Sequence, residues 1–350
     1  MNFLLNIKKI FEDWLIIISL LLSIFLFLLG SLPTFKIEQL IPIFLLWILF
    51  ITVKGIQESK ILNYIAIKLN NGNFVAQKIV ILSFISSIVL TIDVTLIVLL
   101  PITLLLNVKN KKTLFLLVAF TAHLGAALTP FGTPQNIFIF SYYHIDINQF
   151  IKIIAPFSIY IFIIFFIISF FVKVPKEEII EEKVTFNIEK FIIFLLLLIF
   201  AILVSIHLLP WYLGIIIIII SAIYDKNSLK VDYALLITFI IFIAISNQLK
   251  ELLSPYLHNI TEPLFISIIL SQFISNIGST LLLHNFTNNY SSLLIGSNIG
   301  SFGTPIAALA NLITYKIYIS HNLNDKKFII TLTFWGLITL FISYFTIIYN

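Results

Sequence analysis

Thr129-Pro130-Phe131-Gly132-Thr133-Pro134-Gln135-Asn136 interrupts the apolar run over residues 113–140. It cannot be continuous helix. Pro134 has no N–H, and its ring would meet the carbonyl of Pro130. Gly132 adds backbone freedom. The same tetrapeptide returns as Phe302-Gly303-Thr304-Pro305 within the run over 291–315, and Gly125 and Gly296 precede the two copies at the same offset. Each copy leads to an amide residue, Asn136 in one and Asn311 in the other. Two apolar helices broken by the same words predict a duplicated unit.

The surroundings are those of a membrane protein. Of 350 residues 60% are hydrophobic and only 11% charged, and the mean hydropathy is +1.10. Soluble domains carry about 25% charged residues, so a cytosolic globular enzyme, a disordered chain and a nucleic-acid binder are all excluded. The net charge of +5 comes from 21 lysines against 16 acids, with no arginine; these lysines sit between apolar runs and form no basic face. The lack of cysteine excludes disulfides, iron–sulfur clusters and thiolate metal sites. Crossing a bilayer takes about 20 apolar residues. The predicted fold is therefore all-α and polytopic. Its spans are 14–33, 37–53, 113–140, 151–172, 191–209, 211–224, 231–249, 291–315 and 328–349. Glu12 and Asp13 ahead of the first run mark it as a span rather than a cleaved signal peptide.

Two further apolar stretches, 79–106 and 263–283, carry polar residues at their middles. Lysine placement decides how they run. If each is a re-entrant hairpin, 18 lysines lie inside and only Lys36, Lys152 and Lys250 outside; if each crosses once, the division is 11 to 10. The positive-inside rule selects the hairpins. About nine spans plus two hairpins follow, with the N-terminus inside and the C-terminus outside. Residues 14–172 form one repeat (hairpin 79–106, broken helix 113–140) and 211–349 the second (hairpin 263–283, broken helix 291–315). Residues 173–210 form a charged cytoplasmic linker and a connecting helix. An odd number of crossings separates equivalent elements, so the repeat is inverted, the sequence form of a transporter.

Unwound backbone inside a bilayer must line a cavity or be paired. Half-helix N-termini suit an anion, and freed carbonyls suit a small cation. The predicted solute-binding residues are Ser275, Asn276 and Thr280 at one tip, with Thr133, Asn136, Asn298 and Thr304 lining the breaks. Gly132 and Gly303 would let backbone approach. At the other tip Thr91, Asp93 and Thr95 are predicted to handle a coupling ion. Asp93 is the one carboxylate placed deep in the membrane, where insertion costs about 2.5–3.5 kcal/mol; it is either a protonated structural carboxyl or the coupling group. His123, one turn before the first break, is a packing histidine or a proton relay. His144, His207, His258, His284 and His321 fall at loops or span ends and make no metal cluster. Asn247 and Gln248 read as helix–helix hydrogen-bonding residues.

Ala122-His123-Leu124-Gly125-Ala126-Ala127-Leu128 followed by the first break resembles the signature of the ion transporter superfamily. Ser275-Asn276 with Gly296-Ser297-Asn298-Ile299-Gly300 and Ala310-Asn311-Leu312-Ile313 resembles its second-half counterpart. That superfamily holds the citrate transporter-like and arsenite permease groups, divalent anion:sodium symporters and some sodium/proton antiporters; the likeness is strongest to the YbiR-type anion permeases. The resemblance implies a carboxylate held between Ser-Asn-Thr tips with sodium at each. Here Ser275 and Asn276 match, whereas Ile277 replaces the Thr, and Thr91 and Ile92 replace the Ser and Asn of the first tip. Asp93 is similar to the Asn-Asp tip of arsenite and citrate permeases, without its Asn. An elevator-like movement and a homodimeric scaffold are also implied.

The combined expectation is a secondary active transporter in the cytoplasmic (inner) membrane. It would be a symporter carrying a small anion with sodium or a proton, without an enzymatic activity, a cofactor or a nucleic-acid partner. A sodium/proton antiporter sharing Asp93 is the alternative, and a non-transport structural membrane protein the remote one.

Overall fold

The computed structural model describes residues 14–69, 73–106, 108, 110–173, 185–253, 260–321, 325 and 327–348. Most of the predicted linker (174–184), together with His258, Glu12, Asp13 and several of the counted lysines (Lys8, Lys9, Lys109, Lys176, Lys183, Lys326), lies outside the described residues. Among the described residues there are fifteen α-helices and no strand. In chain order they are α1 (Trp14–Leu28), α2 (Ile37–Glu58), α3 (Ile61–Leu69), α4 (Val75–Val89), α5 (Ile92–Leu105), α6 (Lys111–Ala127), α7 (Pro134–Tyr142), α8 (Ile147–Ser169), α9 (Ile188–Ser205), α10 (Ile215–Tyr224), α11 (Tyr233–Leu253), α12 (Pro263–Leu283), α13 (Tyr290–Ile299), α14 (Leu309–His321) and α15 (Phe328–Ile348).

The apolar residues divide by position. α6 is buried from Leu114 to Ala127 all round, as a helix without a polar face must be when it occupies the centre of a bundle. α1, α8 and α15 instead expose Leu21, Phe25, Ile163, Ile167, Phe334 and Phe341, faces suited to lipid. Among the described residues six helices are long and apolar enough to cross a bilayer, and the chain is a multi-pass membrane protein.

One of those six is not a continuous rod. α12 breaks at Ile274 and Ser275, and the hydroxyl of Ser279 donates to the carbonyl of Ser267 at 3.1 Å, twelve residues earlier. On a straight helix those residues would stand about 18 Å apart. The two arms therefore fold back, and their bases meet: Ile260 N–H donates to Phe286 O at 2.6 Å, and the Thr287 hydroxyl to Ile260 O at 2.7 Å.

α4 and α5 form the other hairpin. Ser83 donates to Val118 O, Thr129 donates to Ile88 O, and Gly125 lies against Phe84 and Ser87, so α4 runs parallel to α6. The start of α5 meets Gly132, with Ile92 N–H donating to its carbonyl at 3.2 Å, and the end of α5 meets the start of α6 through Lys111. α5 thus returns antiparallel. The tip lies at Leu90–Thr91, and the first arm begins at Val75, four residues before the predicted start. α3 was not anticipated; it is a short surface helix packed on α4 and α5.

The hairpins enter from opposite ends of the bundle. The base of α4–α5 lies with Lys111, Lys112 and the Lys112–Asp325 ion pair (2.7 Å). The base of α12 lies at the other end, where Tyr143, beyond the end of α7, donates to His284 O and Thr287 O. Asn247 joins α11 to Gln39 of α2 and to Asn285, and Gln248 joins α11 to Ser23 and Ser31, the inter-element role expected of both.

Candidate functional site

Between Ala127 and Pro134 the chain leaves the helix. Thr133 takes an extended conformation and Pro134 opens α7, the helix position that proline tolerates because its missing N–H would have had no partner. Asn136 then reaches back, donating to Ala127 O and Thr129 O at 3.2 Å each. The second break is wider, from Gly300 to Ala308, with a 3-10 turn over Pro305–Ala307. Asn311 serves it as Asn136 serves the first, donating to Ser301 O at 2.9 Å and Thr304 O at 3.1 Å.

The breaks are also tied to each other. Asn298 of α13 donates to Asn136 Oδ1 at 2.8 Å. His123 of α6 lies 3.0 Å from Asn311 Oδ1 through Nε2. Because the Asn311 amide N–H groups are committed to two carbonyls, its oxygen faces the ring and His123 Nε2 carries the proton. Each leading half-helix thus grips the amide that closes the opposing break.

The hairpin tips close on the same place. Thr91 precedes the first turn of α5 with no side-chain capping bond. Ser275 caps the second arm of α12, its hydroxyl accepting from Gly278 N–H at 3.3 Å. It does so at φ 67, ψ 158, a region that side chains rarely occupy and that marks functional tips more often than ordinary turns. Asn276 Oδ1 accepts from Ile277 N–H at 2.9 Å.

A narrow cavity lies where these elements meet, walled by Ile92 and Asp93, His123, Thr133–Gln135, Leu235, Asn276 and Ile277, Asn298, Ser301 and Ala308–Ala310. Four of these groups are helix starts: those of α5, α7, the second arm of α12, and α14. First-turn N–H groups have no partner inside their helix, and each terminus carries about half a positive charge. No lysine lines the cavity, and Asp93 is its one carboxylate. Asp93 has no hydrogen-bond partner among the described residues.

The thirteen residues singled out from sequence fall into three groups. Asp93, His123, Thr133, Asn276 and Asn298 line the cavity. Thr95 and Thr280 are fully buried, and their hydroxyls, like that of Thr133, have no partner among the described residues; Thr91 is buried at the first tip. Asn136, Ser275, Thr304, Gly132 and Gly303 instead shape the site. Asn136 and Ser275 are occupied as described. Thr304 donates its hydroxyl to Gln272 O at 3.0 Å and its N–H to Gln272 Oε1 at 2.9 Å. Gly132 presses on the backbone of Ala126, and Gly303, at φ +110, on the Gln272 side chain. Sequence reading missed Gln272, which also donates to Gly300 O and Phe302 O; a lone amide in the apolar arm was the available signal. Leu235 gave none.

Comparison with known proteins fits this architecture. Residues 4–292 match the family model described as citrate transporter. The uncharacterized transporter MJ0456 of Methanocaldococcus jannaschii is 31% identical over 315 residues, covering 85% of this chain and 86% of that protein. The inner membrane protein YbiR of Escherichia coli is 29% identical over 258 residues, 68% of this chain and 66% of that one.

Proposed function

Since the chain belongs to the citrate transporter family and is a membrane transporter, we propose that it is a secondary active carrier for a small anion, a carboxylate or oxyanion, coupled to sodium or a proton. The convergence of four helix N-termini on one cavity carries this reading. A partly buried anion gains up to about 2 kcal/mol from each terminus, so the site can neutralise a solute without the arginine that this chain lacks. Asn276 and the free hydroxyl of Thr133 would hold solute oxygens. Asp93 faces the same space with no cationic side chain beside it. A bound anion and an ionised Asp93 would repel, so the carboxyl must take up a proton or a cation when the solute binds. That obligation is a coupling mechanism.

The opposed hairpins and cross-tied breaks support reading 14–172 and 211–349 as inverted repeats. The excess of lysines at the Lys111–Lys112 end supports a cytoplasmic position for that end in an inner membrane. A homodimeric scaffold belongs to the same reading.

Purified protein in liposomes tests it. Labelled citrate, smaller carboxylates, phosphate, sulfate and arsenite are offered with and without sodium and pH gradients. Gradient-driven uptake of at least one anion is expected. The lone Asp93 favours a second reading, sodium/proton antiport. Exchange of those two ions with every solute inert would establish it and end the carrier reading.

A further inference from the structure

At the lysine-poor end lies a second hollow, open to the surface and formed by the end of α7, the end of α9 and the start of α2; Glu38, Ser141, His144, His207 and Trp211 line it. Two imidazoles on its wall lie in tilted contact, with ring centroids 5.4 Å apart and planes at 55°. They arrive by the same backbone device. Each histidine follows the end of a helix in the left-handed region, His144 at φ 52 and His207 at φ 62. In each turn the next residue reaches back, Ile145 N–H to Phe140 O and Leu208 N–H to Leu203 O, both at 3.1 Å. Glycine, or sometimes asparagine, is the usual occupant of this position, and a bulkier residue costs about 1–2 kcal/mol. Twice the chain accepts that cost to set an exposed imidazole on the wall of one hollow. Neither ring has a hydrogen-bond partner among the described residues, and His207 is held parallel to Phe140 at 6.0 Å.

The spacing suits a metal ion. With a metal–nitrogen bond of about 2.0–2.1 Å, a ring centre stands about 3.2 Å from the metal, so two tetrahedral ligands place their ring centres about 5.2 Å apart. The C-termini of α7 and α9 carry partial negative charge, and Glu38 shares the hollow. Among the described residues no three His, Asp or Glu side chains stand within common ligating range, so the two imidazoles would be the protein ligands and water would have to fill the other positions.

We propose that His144 and His207 bind one transition-metal dication of the zinc class. The ion joins the outer end of α7, which carries Thr133–Gln135 into the central cavity, to the end of α9, which packs along α2. Bound metal therefore opposes any displacement of the broken helix along that frame. This consequence for flux rests on the carrier reading; the binding does not.

Zinc titration of the untagged, full-length protein in detergent, followed by calorimetry, tests the binding. His144→Asn and His207→Asn keep a residue that tolerates the left-handed turn and remove the ligand. One equivalent is expected to bind, and each variant to weaken it at least about tenfold, the loss of one of two protein ligands. Absence of saturable binding, or parental affinity in both variants, overturns the proposal. In liposomes, zinc on the lysine-poor face is expected to slow uptake by the parent and not by the variants; equal slowing of all three overturns the pinning. A parent inert toward every solute would sink the carrier reading and leave the titration to judge the metal site.

Discussion

Thr91 and Ser275 each begin the second arm of a hairpin, and two residues further on one arm carries Asp93 and the other Ile277. Around Ser275 most polar groups are occupied: its hydroxyl caps Gly278, Asn276 Oδ1 holds Ile277 N–H, and Ser279 holds Ser267, while Thr280 is free. Around Thr91 the reverse holds. Asp93 is unpaired among the described residues, and the buried hydroxyls of Ser86 and Thr95 have no partner. Matching backbones thus carry different chemistry. The second tip is a neutral hydrogen-bonding surface, and the first carries an acid with no partner among the described residues. A duplicated scaffold can divide labour in this way, one tip recognising the solute and the other holding the charge that couples it.

Removing the acid should have the largest effect. Asp93→Asn is expected to cut gradient-driven uptake by about 100-fold or more while the protein stays folded, since a neutral amide relieves a buried charge without removing packing. Flux with intact dependence on sodium or pH in that variant would remove Asp93 from the coupling. The sharper form moves the acid: Asp93→Ile with Ile277→Asp places it at the matching position of the other tip. Uptake should stay abolished, because most polar groups of that tip are already committed to the backbone of their own hairpin. Restoration would show the tips to be interchangeable.

Asn276→Ala probes the other side of the division. Loss of one hydrogen bond to a charged solute costs about 1.5–3 kcal/mol, a rise in KM of about ten- to a hundredfold, with the dependence on the coupling ion unchanged. A change in ion dependence at constant KM would reverse the assignment of the two tips.

Glycine at the two caps separates backbone from chemistry. Ser275 sits at φ 67 and Thr91 at φ −76. Relief of an unfavourable backbone is worth about 1–3 kcal/mol, against a few tenths for replacing a cap by glycine. Ser275→Gly should therefore raise the Tm in detergent. Thr91→Gly, with no strain to relieve, should lower it. A fall in both would mean that the Ser275 hydroxyl, rather than its backbone, governs that tip.

Some of this was legible before any coordinates. The offset that pairs Gly125 with Gly296 has a steric cause, because both sit hard against the backbone of a hairpin arm, Phe84 in one case and Leu264 in the other, where a side chain would not fit. Pro134 cannot continue a helix, so the first break followed from local chemistry. The bonds between the breaks did not. Asn298 and Asn136 lie 162 residues apart, and nothing local says that an amide which caps its own break will also receive a donor from the other half. For that reason Asn136 and Thr304 read as solute ligands in the sequence, whereas the folded chain commits them to holding carbonyls and the Gln272 arm. Asp93 stood out for the opposite reason: an acid among apolar neighbours is costly wherever the chain goes.

The smallest effect concerns the ends of the broken helices, which the two halves also fasten differently. At one end Tyr143 donates to neutral carbonyls of the second hairpin's base. At the other, Lys112 at the start of α6 meets Asp325 beyond α14 at 2.7 Å, and its hydrogen bond holds the Asp325 carboxyl below its ordinary range. A carboxyl depressed in the folded state contributes stability above its unfolded pKa, about 3.9, and loses it as the pH falls through the folded value. Both partners are partly exposed, so the gain is small. Lys112→Gln should lower the Tm at pH 7 by about 1–2 °C, and the gap between variant and parent should narrow as the pH falls below about 3.9. Tyr143→Phe removes a neutral bond and should leave a gap that does not depend on pH over the same range. A Lys112→Gln gap that does not narrow at all on acidification would show that the lysine acts through packing, and that the two ends are fastened alike.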